Sequence, residues 1–245
     1  DIEQIGQDKM LSLVEMRFRG LQRIQKAFGK KQIDFDMVGG YELFTEEDKV
    51  NKPVLKEKME DLNKLLRPVV NEKNTFRLSD KKIGKFGFGH VTHLAENQAE
   101  GYLHPGKLCQ ALLQAVQLQG VTVLNSIDIT QIEKTGDLVT CYTNQHITLR
   151  ASKVIVCTNA FAKQLLPELD IVPARGQVLV TAPIKGLSFK GTFHYQEGFY
   201  YFRNLGNRIL LGGARNTAFD EEATAEMMTT EKIQSNLEHF LLHYL

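Results

Sequence analysis

The stretch from residue 105 to residue 157 restricts the fold more than any other part of this sequence, because its periodicity changes from helical to strand. Apolar residues recur at three- and four-residue spacing behind Pro105 and stop at Gly120, which predicts an amphipathic helix over 105–119. The short apolar runs that follow predict strands over 121–124, 127–134, 138–143, 146–149 and 153–157. A chain that mixes the two patterns so closely is expected to have an α/β or mixed α+β fold.

Helical patterns dominate the N-terminal part of the chain. One apolar stripe predicts a helix from about residue 10 to residue 28, ended by Gly29. The patterns that follow predict a strand over 37–44, a helix N-terminus at 45–48 and a charged helix over 53–66. Between residues 71 and 101 the pattern weakens, so we expect a loop-rich connection with one short strand over 86–90.

The C-terminal part turns to strands. They are predicted over 177–182, 199–203 and 208–211, with a turn at 205–207 and a final helix from about residue 229. Helices between strands in one portion and antiparallel strands in another predict two subdomains that are interleaved along the chain.

The charge balance limits the classes of partner. The sequence has 30 lysines and arginines against 29 acidic residues, which gives no electrostatic reason to expect nucleic acid or an anionic membrane. The apolar runs are too short to span a bilayer, and the N-terminus has no secretory-signal pattern. We therefore expect a cytoplasmic protein that acts on a small molecule, and the sequence leaves its oligomeric state open.

The spacing of histidines and cysteines gives no metal site. No carboxylate or cysteine lies at ligand spacing around His90, His93 or His104. The three cysteines have no close spacing typical of a zinc or redox motif, so we expect reduced thiols.

The strand predicted over 153–157 runs into Thr158, Asn159 and Ala160. In an open parallel sheet, ligands gather at the carboxyl ends of strands, where free amide groups can bind phosphate or ring oxygens. These residues form a candidate nucleotide-binding edge. An ordinary strand-to-helix turn explains the same pattern, so both interpretations stay open here.

Several runs carry a family resemblance by their order and spacing. They read GYLHP at 101–105, VIVCTNAF at 154–161, PARGQVL at 173–179, FYYFR at 199–203 and LLGGAR at 210–215. Together they resemble the D-amino-acid oxidase superfamily of FAD-dependent oxidoreductases. The Thr-Asn-Ala variant is most similar to the amine-oxidising branch, such as gamma-glutamylputrescine oxidase.

This resemblance implies FAD as cofactor and a set of contacts to it. Ile129 would lie against the adenine through its backbone, and Thr158, Asn159 and Ala160 would approach the dinucleotide. Arg175 is a further candidate contact on the flavin side, and an arginine on the sheet surface explains it equally well. It also implies a partial FAD-binding Rossmann-like layer interleaved with an antiparallel-sheet substrate domain. Residues 1–100 would be mainly substrate domain with N-terminal helices, 101–170 a remnant of the FAD-binding domain, and 171–245 the substrate-domain sheet and final helix.

The sequence departs from the family pattern at both ends. Members begin with a strand, a G-x-G-x-x-G turn and a helix that holds the pyrophosphate, and none of these precedes Asp1. The glycine-rich segment that closes over the flavin does not follow Leu245. The run at 84–89 lacks a following helix and is interpreted as a loop. We therefore expect a fragment that binds FAD weakly or not at all.

Substrate contacts are expected from the strands around residues 199–215. The resemblance and the pattern point to Tyr201, Arg203 and Arg215, because a phenol and cations suit a substrate carboxylate. Side chains alternate along a strand, so only one of Tyr200 and Tyr201 can enter a pocket, and Tyr201 shares its face with Arg203. Cross-strand pairs that stabilise the sheet would explain these residues equally well.

Three functions follow from these patterns. The resemblance implies FAD-dependent oxidation of an amine or amino acid, with hydride transfer from a substrate C–H bond to the flavin and an imine as product. The chain alone is expected to be inactive. The alternatives are a non-catalytic binding or assembly module built on the same fold, and a different nucleotide-dependent enzyme. D-amino acids, glycine-like substrates and polyamines all stay open, as does the choice between oxidase and dehydrogenase.

Overall fold

The computed structural model describes residues 2–245. Its helices are α1 (Ile2–Ile5), α2 (Gln7–Phe28), α3 (Lys52–Val70), α4 (Ile83–Phe86), α5 (Pro105–Leu118), α6 (Ala162–Leu165) and α7 (Glu231–Tyr244). Its strands are β1 (Gly40–Thr45), β2 (Phe76–Leu78), β3 (Val91–Asn97), β4 (Ile129–Thr135), β5 (Leu138–Thr143), β6 (Thr148–Ala151), β7 (Val178–Val180), β8 (Thr192–Tyr195), β9 (Tyr200–Leu205) and β10 (Arg208–Gly213). Short 3-10 turns lie at Asp80–Lys82, Asn159–Phe161 and Arg215–Thr217.

A seven-stranded mixed sheet forms the centre of the molecule, in the order β2-β3-β1-β8-β9-β10-β7. Its pairs are antiparallel except β1 and β8, which run parallel. The sheet therefore joins strands from residues 40–97 with strands from residues 178–213. A second, three-stranded antiparallel sheet has the order β4-β5-β6. The predicted mixed fold with interleaved parts is confirmed, whereas the division at residues 100 and 170 stays a prediction.

Helix α7 covers one face of the large sheet and closes the main core. Its buried Ile233, Leu237 and Phe240 pack with alternating residues of the strands, among them Phe193, Phe202, Ile209 and Leu211. The rings of Phe193 and Phe202 stack with centroids 4.7 Å apart. Burying a side chain of this size contributes roughly 1.5–3 kcal/mol. Because one face carries the core, the intervening residues of each strand must face the opposite side.

Several elements agree closely with their sequence patterns. Helix α2 ends at Phe28 and is followed by Gly29 with a φ of 70°, as the glycine predicted. Helix α5 begins at Pro105 and ends two residues before Gly120. The predicted meander is confirmed: β5 spans 138–143, and β4 and β6 lie within two residues of the expected bounds.

Other predictions were wrong. Thr45 ends β1, and residues 46–49 form a turn instead of a helix start, because Lys49 has a left-handed φ of 47° that interrupts any helical continuation. Residues 86–90 are not a strand, since Phe86 ends α4 and Gly87 adopts a left-handed conformation. The connection over 71–101 is not loop-rich, because β2, α4 and β3 lie within it.

The segments at 121–124 and 153–157, predicted as strands, form no regular secondary structure. A strand needs a hydrogen-bonding neighbour, and none of the described residues pairs with either segment. Most of their apolar side chains are exposed, and Ile155 is 87% exposed. The candidate nucleotide-binding edge at Thr158 was expected to follow the end of a paired strand. The segment before Thr158 is not paired in a sheet.

Candidate functional site

The open face of the large sheet carries a cavity of about 590 Å³. Tyr201 and Arg203 of β9 line it. Their strand neighbours Tyr200 and Phe202 point the other way and are buried in the core. His194 lies opposite Tyr201 in the β8–β9 register, and Thr192 lies opposite Arg203. Tyr201 and Arg203 thus lie on the same face of the sheet, as the alternation of side chains predicted.

Residues 102–105 form the other wall of this cavity. Tyr102 is fixed to Asp36 by two backbone hydrogen bonds, of 2.9 and 3.0 Å. Gly101 permits this close approach, because a Cβ at that position would lie 2.2 Å from the Asp36 carbonyl oxygen. The segment then turns into α5, where the His104 ring nitrogen accepts the Lys107 N–H at 3.3 Å and caps the helix.

Arg203 joins the sheet to this wall. Its Nη1 donates to the Leu103 carbonyl at 3.1 Å, and its guanidinium lies 4.9 Å from the centre of the Tyr102 ring. Guanidinium carries five N–H donors in a planar fork. One hydrogen bond among the described residues leaves the other donors for a ligand. A cation held in this way suits a carboxylate.

Tyr201 depends on a glycine of the next strand. Its ring lies over Gly212, where a Cβ would stand 2.6 Å from Tyr201 Cε2. Its hydroxyl lies 3.9 Å from the position of a Cβ on Gly176. The absence of a side chain on Gly212 lets the phenol lie over this strand beside the cavity.

Arg215 lies away from these two residues. It occupies the turn after β10, where its guanidinium packs 5.2 Å from the centre of the Phe219 ring. The Ala214 N–H before it donates to the Phe199 carbonyl at 2.8 Å, which places the turn beside the β8–β9 connection. The structure therefore brings Tyr201 and Arg203 together but does not bring Arg215 to the same cavity.

Arg175 is engaged within the fold. Its Nε and Nη2 each donate to the Glu222 carboxylate at 2.8 Å, and both side chains are buried. The Arg175 guanidinium, with hydrogen bonds from Gln177 and Thr230, lowers the pKa of Glu222 to about 2. Glu222 is 47 residues away along the chain, so sequence patterns gave no sign of this pair.

The residues expected near the dinucleotide lie around the small sheet. Ile129 begins β4 opposite Thr143 and is half-buried. Thr158 and Asn159 are exposed, Ala160 is half-buried, and α6, which follows them, contacts β4. The turn and the strand are thus neighbours.

The described residues fit a flavin cofactor only in part. The open sheet face offers a wall for a planar ring, but the glycine run at 84–89 provides no phosphate cradle. There, Gly87 ends a four-residue helix, and the Gly89 N–H donates to the Tyr244 carbonyl at 3.0 Å.

Residues 2–245 contain no group of three or more His, Cys, Asp or Glu side chains placed to hold a metal ion. None of their helices is long and apolar enough to cross a membrane.

Sequence patterns missed two titratable residues of the open face, His194 and Glu42. Both follow from strand alternation, since their neighbours along the chain are buried. Glu42 lies opposite His194 in the parallel β1–β8 register and lines a neighbouring cavity of about 560 Å³. Burial raises the pKa of Glu42 to about 7, and the nearby carboxylates of Glu100, Asp48 and Glu197 add to the effect.

Solved structures of amino-acid oxidases and dehydrogenases share this architecture. L-proline dehydrogenase from P. horikoshii superposes with a TM-score of 0.69 at 14% identity, over 93% of this chain and 61% of that one. Glycine oxidase from Bacillus cereus gives 0.67 at 13% identity, over 97% and 63%. Iminodiacetate oxidase from Chelativorans sp. BNC1 gives 0.66 at 14% identity, over 96% and 63%. The chain thus spans less than two thirds of each of these structures, and it has the fold of this class of oxidoreductase.

A family match completes the assignment. The family described as FAD dependent oxidoreductase matches residues 4–244. The chain belongs to this family, which confirms the resemblance to the D-amino-acid oxidase superfamily. No curated protein sequence matches the chain.

Proposed function

We propose that this chain takes part in the FAD-dependent oxidation of a small amino acid and that Tyr201 and Arg203 bind the substrate. The observation that carries the proposal is the pair itself: a phenol and a guanidinium side by side on the wall of one cavity. When bound, FAD supplies the two-electron redox chemistry, with the substrate C–H bond as hydride donor and an imine as product. The chain's own residues need only hold the substrate in a suitable orientation.

The charge of Arg203 favours an amino acid over a polyamine. A guanidinium in the cavity wall attracts a carboxylate and repels a second ammonium group. The three structural neighbours are named for proline, glycine and iminodiacetate, and each of these compounds combines an amine nitrogen with a carboxylate. This supports a carboxylate-bearing substrate for the present chain.

Turnover by the product of the complete reading frame tests this proposal. Peroxide release and dye reduction should be measured with glycine, D-alanine, L-proline and putrescine, which separates oxidase from dehydrogenase activity. We expect turnover of at least one of the three amino acids and none of putrescine. Turnover of putrescine alone would contradict the role of Arg203, and no turnover with either acceptor would support a non-catalytic binding module.

We also propose that residues 1–245 alone bind FAD weakly and are inactive. The described residues contain no glycine cradle for the pyrophosphate, which anchors the dinucleotide in this kind of fold. Ile129, Thr158, Asn159 and Ala160 are proposed as the remaining contacts, whereas the ion pair with Glu222 leaves Arg175 few free donors. Absorbance at flavin wavelengths after gel filtration tests this. A stoichiometrically yellow protein would contradict it.

The cytoplasmic location stays a prediction.

A further inference from the structure

A second cavity, of about 430 Å³, adjoins the substrate cavity at residues 102–104. Arg203 and the segment Tyr102–His104 line both cavities. The second cavity also touches the turn after α2, which contributes Lys30, Lys31 and Asp34. None of the residues that line only this second cavity has a role in the proposed oxidation.

The charges around this cavity do not cancel. The two carboxylates of its lining each have a lysine partner: Asp34 pairs with Lys107 at 2.6 Å, and Asp36 pairs with Lys190. Lys30, Lys31 and Arg203 line the same space, and none of them has a carboxylate partner among residues 2–245. The lining therefore carries three cations against two carboxylates, and both carboxylates are already paired with lysines from outside it.

Neutral donors add to the cations. Asn204 lines the cavity, and its Oδ1 accepts the Gly191 N–H at 3.3 Å, which leaves the amide nitrogen as a donor. The guanidinium of Arg203 is held in place by Leu103 and Tyr102, so little side-chain freedom is lost when it binds a ligand. A cavity with three unpaired cations and an amide donor is suited to an anion.

We infer that the cavity between Lys30, Lys31 and Arg203 binds the carboxylate or phosphate group of a small molecule. The site adjoins the substrate cavity and shares Arg203 with it, whereas Lys30 and Lys31 line only the second cavity. Its occupation is an equilibrium of the chain itself and requires no flavin. The inference therefore stands or fails independently of the proposed oxidation.

Isothermal titration calorimetry on the purified chain tests this inference. Inorganic phosphate and malonate should be titrated separately at low salt, with sodium chloride of equal ionic strength as the reference. We expect saturable binding of at least one anion, and the responding anion identifies the phosphate or dicarboxylate class. The double variant Lys30→Ala/Lys31→Ala should bind it about 10-fold more weakly.

The matched control is Lys81→Ala/Lys85→Ala, which removes two exposed lysines that line neither cavity. It should bind as the unchanged chain does, and circular dichroism should show both double variants folded. The inference is overturned by heats that follow ionic strength alone, by an equal loss in the control, or by undiminished binding in Lys30→Ala/Lys31→Ala.

Discussion

The Tyr201 ring occupies the space that a side chain on Gly212 would need: a Cβ there would lie 2.6 Å from Tyr201 Cε2. The two residues are register partners on neighbouring strands, and Tyr201 is 37% exposed, so its ring has room to move outward. The position of the phenol thus depends on the missing side chain of its register partner on the neighbouring strand.

Gly212→Ala should displace the phenol from the substrate cavity. Because the ring can swing into solvent, we expect a small stability loss, below about 1.5 kcal/mol. Catalytic efficiency of the complete protein should fall about 10-fold, since substrate positioning is lost. Steady-state kinetics and urea denaturation measure the two effects. In a Tyr201→Ala background the same change should have little further effect, and an equal loss there would show that the ring is not the cause.

Gly101→Ala should loosen the segment that lines both cavities. The new Cβ would lie 2.2 Å from the Asp36 carbonyl oxygen and 2.9 Å from Met37 Cα, and backbone atoms cannot move aside cheaply. We expect a loss of about 1–3 kcal/mol in the free energy of unfolding, measured by urea denaturation. Gly20→Ala is the control, because no atom lies within 4 Å of its Cβ position and it lies within α2. It should be neutral or stabilising by up to about 1 kcal/mol.

Glu42→Gln should stabilise the protein at alkaline pH. The folded protein raises the pKa of Glu42 from 4.5 to about 7, so it favours the neutral acid. That contribution is present below pH 4.5 and is lost as the pH rises through 7. The amide mimics the neutral form, so the gain should be on the order of 2 kcal/mol near pH 9 and absent near pH 4. Thermal unfolding across this range measures it, and the exposed Glu57→Gln should show no such trend.

Glu222→Gln should have the opposite pH dependence. The folded protein lowers the pKa of Glu222 from 4.5 to about 2, so its stabilising contribution is full above pH 4.5 and is lost as the pH falls through 2. At pH 7 we expect the melting temperature to fall by at least about 5 °C, because the buried Arg175 loses its partner. The difference from the unchanged chain should shrink below pH 4.5.

Glu221→Gln is the neighbouring control for this effect. Glu221 pairs with Lys232 at 3.0 Å on the surface, where both side chains are about half exposed. Exposed pairs contribute roughly 0–1 kcal/mol. If Glu221→Gln lowered the melting temperature as much as Glu222→Gln does, burial of the Arg175 pair would not be the source of its stability.

Sequence patterns worked where local signals decide the structure. Pro105 and Gly120 bracket a helix in most contexts, and alternation fixed β5 and the shared face of Tyr201 and Arg203. Predictions from these patterns failed where a residue far along the chain determines the local structure. Strand β3 was missed because its buried Glu96 looks like a surface residue until Arg77 and Lys82 neutralise it at 2.9 Å each.

The same physical limit explains the errors around the cofactor side. Residues 153–157 have the composition of a buried strand, but pairing requires a neighbour that local patterns cannot supply. Local patterns likewise gave no sign that Arg175 donates to Glu222, which lies far along the chain, and a role of Arg175 on the flavin side stays a prediction. Glu42 and His194 carry no motif, and only the sheet register places them on the open face.

The short wall at 102–104 is shared by two chambers and is fastened to residues 33–36 by backbone hydrogen bonds. A substitution in this partition would alter the shape of both chambers at once. One substitution there would therefore change both the substrate preference and the response to a second small molecule. The two properties could evolve separately only through residues that face a single chamber, such as Lys30 or His194.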